Sequence, residues 1–90
     1  MKLLSPVVAV LILMGPLVSI AEPKCTAEPK DKWKNEEEFK KSLETEGYKI
    51  KKFKVTKGNC FEIYGWNKAG KKIEIYFNPV DGSKIKENLE

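Results

Sequence analysis

Between Phe53 and Phe77 the apolar residues keep one parity. Phe53 and Val55, then Phe61 and Ile63, then Ile73, Ile75 and Phe77 are all odd-numbered. Strand side chains alternate between faces, so a run with period two buries one face and turns the other to water. Three such runs joined by short polar stretches fold as an antiparallel meander. Parity also sets the register. For odd residues to face odd residues across a hairpin, the paired numbers must sum to an even value. Loops of Lys57-Gly58-Asn59 and Lys68-Ala69-Gly70 meet that condition, placing Val55 opposite Phe61, Ile63 opposite Ile75 and Trp66 near Lys72. Three-residue hairpin loops want a left-handed third position, which Gly70 takes without strain and Asn59 tolerates.

Tyr48 and Ile50 break the parity, so a bulge near Lys51-Lys52 is expected to switch phase ahead of Phe53. Gly65 lies on the odd face opposite Ile73, leaving room for a helix or side chain to come close. Ile85, beyond the turn "NPVDGSK", is expected in a short fourth strand. Upstream, Asn35 offers a helix N-cap, with Glu38 three residues on as its capping-box partner. Glu36, Glu37 and Glu38 fill the first turn, where the helix dipole favours negative charge. Phe39 and Leu43 form a narrow apolar stripe and Gly47 is a natural stop, which predicts one helix over residues 36–46. The fold class is α+β: one helix packed on the odd face of a three- to four-stranded antiparallel β-meander.

Three segments divide the chain. Residues 1–21 read as a secretory signal peptide: Lys2, an apolar run from Leu3 to about Val18, then Ser19-Ile20-Ala21 as a small-residue cleavage site. Pro6 and Pro16 interrupt the run and no basic cluster follows it directly, so no stable membrane insertion is expected after cleavage. Residue 24 is a lysine, not a small residue, which argues against a lipoprotein cysteine at Cys25. Residues 22–34, rich in proline and charge, read as an extended arm, and residues 35–90 as the folded domain. A domain this small is marginal without a staple. The chain has two cysteines, Cys25 and Cys60, and in an exported protein they are expected to form one disulfide. Closing a loop of that length is worth about 4 kcal/mol in the chain-entropy account.

The formal net charge is +4, and the positive side chains are all lysine; histidine and arginine are absent. That excludes histidine acid–base chemistry and histidine metal sites. It also argues against nucleic acid, where arginine supplies bidentate phosphate contacts. No metal or cofactor motif occurs, and no G-x-S-x-G, H-E-x-x-H, phosphate loop or C-x-x-C. Glu62 and Glu74 are the nearest thing to a catalytic carboxylate pair, but a flat sheet face supplies no cleft for a sugar. The expectation is no enzyme, no cofactor, and a monomer.

The even face of the second and third strands carries Glu62, Tyr64 and Trp66 beside Glu74 and Tyr76. An ordinary half-exposed face explains these as cross-strand pairs. A binding surface explains them as partner anchors, since exposed Tyr and Trp are enriched at interfaces. Cys60 shares their parity, so the disulfide draws the arm toward this face or its edge. Lys49, Lys51, Lys52 and Lys54 form an alternative, anion-binding set for envelope polymer or lipid head groups; the plainer reading is lysine blunting an edge strand.

Residues 36–86 resemble a PepSY domain, the module of thermolysin-type protease propeptides and of stand-alone exported bacterial proteins. The likeness lies in the helix ending at Gly47-Tyr48, the "CFEIY" strand at 60–64 and "GKKIEIYFNPVDG" from Gly70 to Gly82. The resemblance implies a helix on antiparallel strands and a non-catalytic, protease-inhibitory or regulatory role. It implies a periplasmic or secreted location and a partner in the cell envelope, a protease or a membrane protein. No protease follows in this chain, so inhibition is expected in trans.

Overall fold

A computed structural model describes residues 22–90; the expected signal peptide, 1–21, lies outside the described residues. Helix α1 spans Glu36–Thr45, and four strands follow: β1 Lys49–Val55, β2 Phe61–Trp66, β3 Lys72–Phe77 and β4 Lys84–Leu89. They pair in the order β1-β2-β3-β4, an antiparallel meander with α1 on one face.

The ends of α1 follow from local chemistry. Glu38 N–H donates to Asn35 Oδ1 at 2.9 Å, while among the described residues the reciprocal half of the capping box does not form. The last turn closes on Glu46, with Gly47 left-handed at φ 106°. Tyr48 N–H bonds Leu43 O and Gly47 N–H bonds Glu44 O, the paired bonds of a Schellman stop.

Parity sets the sheet as expected. Val55 pairs with Phe61, Ile63 with Ile75 and Trp66 with Lys72, and β1 shifts register between Ile50 and Lys52. Both three-residue loops have the same geometry. Asn59 N–H bonds Thr56 O and Gly70 N–H bonds Asn67 O, with Asn59 at φ 61° and Gly70 at φ 83°. The reason for Gly65 differs from the one expected: a Cβ there would run into the carbonyl oxygen of Lys49, so its neighbour is the bulged backbone of β1 rather than the helix. The fourth strand forms, yet Ile85 stays 43% exposed and Leu89 64% exposed.

Under α1 the core gathers Phe39, Leu43, Phe61, Ile63, Ile73, Ile75 and Phe77. Phe61 is its centre, with the rings of Phe53, Phe39 and Trp33 at 5.1, 5.3 and 5.7 Å. Trp33 corrects the reading of residues 22–34 as a plain extended arm. A short 3-10 turn at Lys30–Lys32 places its ring edge-on to Phe61, and its indole N–H donates to Glu28 O at 3.1 Å. Lys34 N–H then bonds Pro79 O, tying the arm to the β3–β4 turn.

The arm is also stapled at its start. Cys25 and Cys60 are disulfide-bonded, and Cys25 N–H donates to Gly58 O at 2.9 Å. The arm passes so close that a Cβ on Gly58 would meet Pro23 O. It therefore begins beside the even face and crosses the β1–β2 turn to reach the helix side.

Candidate functional site

Pairing carries the even face across all four strands. Lys54, Glu62, Tyr76 and Lys86 form one cross-strand row; Lys52, Tyr64, Glu74 and Asn88 form the next. Among the described residues no helix covers this face, yet it is not uniformly open. Glu62 is 0% exposed and Tyr76 5%, whereas Tyr64, Trp66 and Glu74 are only half-buried. Glu62 and Tyr76 therefore leave the set of candidate partner contacts. Cys60 and its disulfide lie at one end of Glu62, and Tyr76 and Lys54 flank it, so its neighbours close what alternation alone would have left wet.

The closed part is a polar cluster. Tyr76 O–H donates to Glu74 Oε2 at 2.9 Å, and Asn88 Nδ2 donates to Glu74 Oε1 at 3.0 Å. Lys54 Nζ stands 3.7 Å from Glu62 Oε1 and is itself partly solvated. Among the described residues neither Glu62 oxygen reaches hydrogen-bond geometry with a neighbour. Burial pushes the Glu62 carboxyl above its ordinary value and Glu74 beside it adds to the rise, while Tyr64 and Lys54 oppose it. Glu74 is held at about 2, first by Glu62 and then by Asn88 and Tyr76. Two acids this close do not both ionise readily, and here the environment separates their roles. The proton is favoured on Glu62 and the charge on Glu74. The Tyr64 hydroxyl, beside both acids, is pushed up, as is Tyr76 by burial and by Glu74.

Such a pair resembles the acid and base of a hydrolase in chemistry but not in access. With Glu62 fully buried, a substrate atom cannot reach its carboxyl. The depressions on this face lie to either side: one is bounded by Glu22, Lys54 and Thr56, the other by Tyr64 and Trp66. The second holds about 270 Å³. Gly65 and Ile73 supply backbone to its floor, because Gly65 has no side chain and that of Ile73 belongs to the core.

The four candidate lysines are not a separate surface. Lys49 pairs with Trp66, Lys52 with Tyr64 and Lys54 with Glu62, so each shares a face with its aromatic or acidic partner. Lys51, at the bulge, lines the Tyr64–Trp66 depression. Lys52 Nζ lies 5.9 Å from the centre of the Tyr64 ring. What the sequence divided into an aromatic set and a lysine set is one surface.

A family model, the peptidase propeptide and YPEB domain (PepSY), matches residues 5–88. The chain belongs to the PepSY family. The match extends beyond the resemblance read over 36–86 and takes in the arm with Cys25 and Trp33. No curated protein and no solved structure matches the chain. PepSY domains are generally propeptide or regulatory modules rather than catalytic ones, and are typically exported or extracellular. Among the described residues no helix is long and apolar enough to cross a membrane, and no cluster of acidic or cysteine side chains could hold a metal.

Sequence reasoning did not single out Trp33, Asn88 or the burial of Glu62. A tryptophan inside "KDKWKN" was a usable signal, because a lone large aromatic amid charges needs something to pack on. Asn88 had no such mark.

Proposed function

We propose that this PepSY protein is an exported, non-catalytic regulatory module that binds a protein partner in the cell envelope through the open end of its even face. Family membership favours a peptidase as that partner. The observation carrying this reading is the contrast within one face. The Glu62–Tyr76 end is closed by its own side chains, while Tyr64 and Trp66 stay half-exposed around a depression. Aromatic side chains at the centre of a contact supply most of its binding energy, and these two stand where a partner can reach them.

Binding of anionic polymer or lipid is the rival, supported by the exposure of Lys49, Lys51, Lys52 and Lys54 along β1. Capture from an envelope fraction separates the two when run with wild type, Tyr64→Ala/Trp66→Ala and a Glu substitution of all four lysines. Captured proteins are then purified, tested for direct binding and assayed for peptidase activity with and without the module. A protein lost with the aromatic variant supports the proposal. Retention by that variant, with loss only in the lysine variant and at raised salt, favours the rival.

A further inference from the structure

On the premise that the open end of the even face is the contact surface, we infer that it receives an acidic segment of its protein partner, with one apolar side chain seated between Tyr64 and Trp66 and carboxylates on the lysines around them.

Charge complementarity argues for an acidic occupant. Lys51, Lys52 and Lys72 bound the depression, and Glu90 is the one acid lining it. Glu62 and Glu74, the acids of the neighbouring strand positions, are less available to a ligand. Glu62 is buried, and both oxygens of Glu74 are already held by Tyr76 and Asn88. Lys54, the cation nearest Glu62, faces the closed cluster. Hydrogen bonds thus engage Glu74, burial withdraws Glu62, and lysines outnumber acids at the end where the aromatics are accessible. Basic segments are repelled there, and a neutral one leaves the lysines without partners.

Size and chemistry argue for a peptide over a lipid surface. A depression of about 270 Å³ suits one side chain rather than an acyl layer. Strand residues Gly65 and Ile73 line it together with the aromatic side chains of Tyr64 and Trp66. Apolar residues that would enter a bilayer do not ring it; the exposed Ile85 and Leu89 are on β4, and Leu89 pairs with Ile73 on the opposite face.

The probe is a dye-labelled pentapeptide with phenylalanine at its centre and glutamate at the other positions. Controls replace every glutamate by lysine, or the phenylalanine by serine. Anisotropy titrations use the purified protein, with amide shifts mapped by NMR. The glutamate peptide is expected to bind and to shift the amides of Tyr64, Gly65, Trp66 and Lys72. The lysine peptide should not bind, and the serine peptide should bind at least about tenfold more weakly. Trp66→Ala should weaken binding by a similar factor, and Lys52→Glu/Lys72→Glu should abolish it. Both lysines are exposed, so that double variant keeps its fold, verified by circular dichroism. Equal binding of the lysine peptide, or shifts confined to another face, overturns the inference. So does binding to vesicles of equal phosphatidylglycerol and phosphatidylcholine that the peptide cannot compete away. If the peptide fails while a captured envelope protein still depends on Trp66, the acidic assignment falls and the proposed function stands.

Discussion

On the odd face of the sheet, Phe61 is closed in by the rings of Trp33, Phe39 and Phe53; on the even face, its neighbour Glu62 is just as inaccessible, with Lys54 beside its carboxyl. The two residues share a strand and a degree of burial, but differ in what covers them, and the Glu62 carboxyl has no hydrogen-bond partner among the described residues. Phe61 is buried by a second layer, the helix and the arm. Glu62 is buried by neighbours in its own sheet and by the disulfide. A sheet of four strands has two central ones, and long side chains on either side can close over a central residue without any second layer. The even face therefore divides into a closed polar end and an open aromatic end.

Removing the covered group on each face separates the two kinds of burial. Phe61→Ala deletes the ring at the centre of the aromatic cluster and should cost about 3–5 kcal/mol, enough to unfold much of a domain this small. Urea denaturation followed by far-UV circular dichroism measures it. A loss under 1 kcal/mol would mean that the helix and arm collapse onto the cavity, and that the odd face is less rigidly packed than its ring distances indicate.

Reduction of Cys25–Cys60 comes next, at about 2–4 kcal/mol. The bond joins the arm to the turn that begins β2, so its loss should reach both faces. Trp33 loses its tether on one side, and Glu62 loses a neighbour on the other. Hydrogen exchange after reduction should rise at Cys25 and Asn59 before it rises in β3. Exchange that rises uniformly would show that the arm is not a separate unit of stability.

The same contrast explains how much was legible in the sequence. The register, the bulge and both hairpin loops follow from period-two parity and from Gly70 and Asn59, because backbone geometry leaves few alternatives once the apolar face is known. The burial of Glu62 was not legible. Alternation places it on the polar face, and only the cross-strand row of Lys54 and Tyr76, with the disulfide beside it, closes water out. Trp33 was hidden for a related reason: the arm has no periodicity, and its packing depends on where the staple lets it cross. For the open end, the sequence named Tyr64, Trp66 and the lysines but placed them in rival sets, since the face of Lys49 and Lys51 depends on the geometry of the bulge.

Acidity should distinguish the faces, because the two interacting acids, Glu62 and Glu74, both lie on the even one. Glu62 is raised above its ordinary 4.5, so above that pH the folded chain binds more protons than the unfolded one. Its contribution to stability is full below 4.5 and is lost as pH rises through the folded value. Glu74, held at about 2, acts oppositely: its contribution is present above 4.5 and is lost as pH falls toward 2. Of the groups that face the two acids, Lys54 stands 3.7 Å from Glu62, and Tyr64 and Tyr76, both raised, stay neutral across this range. Stability should therefore peak near the ordinary carboxylate range. Glu62→Gln should flatten the alkaline limb, making the variant more stable than wild type at neutral pH but not at about pH 4. The acid limb should persist, since Tyr76 and Asn88 still donate to Glu74. A wild-type alkaline limb that is already flat would show that Glu62 carries its charge when folded.

The smallest effect should fall at the open end, and it tests whether the even face is one surface energetically or two. Lys52 and Lys54 lie on the same strand and face two residues apart, but Lys52 stands over the Tyr64 ring and Lys54 beside the buried Glu62. Lys52→Glu removes a partly solvated cation–π contact and leaves no buried group unanswered. It should change stability by no more than about 0.5 kcal/mol. Lys54→Glu is chemically the same exchange, yet it takes from Glu62 its neighbouring cation and sets a second acid there. Its cost should be plainly larger at neutral pH, and should shrink in acid as Glu62 takes up its proton. Thermal melts of both variants at the two pH values give the comparison directly. If the two substitutions cost the same at both, Lys54 is merely a solvated edge lysine and the closed cluster does not depend on it. If they diverge only above the carboxylate range, the boundary between the closed and open ends runs between these two lysines.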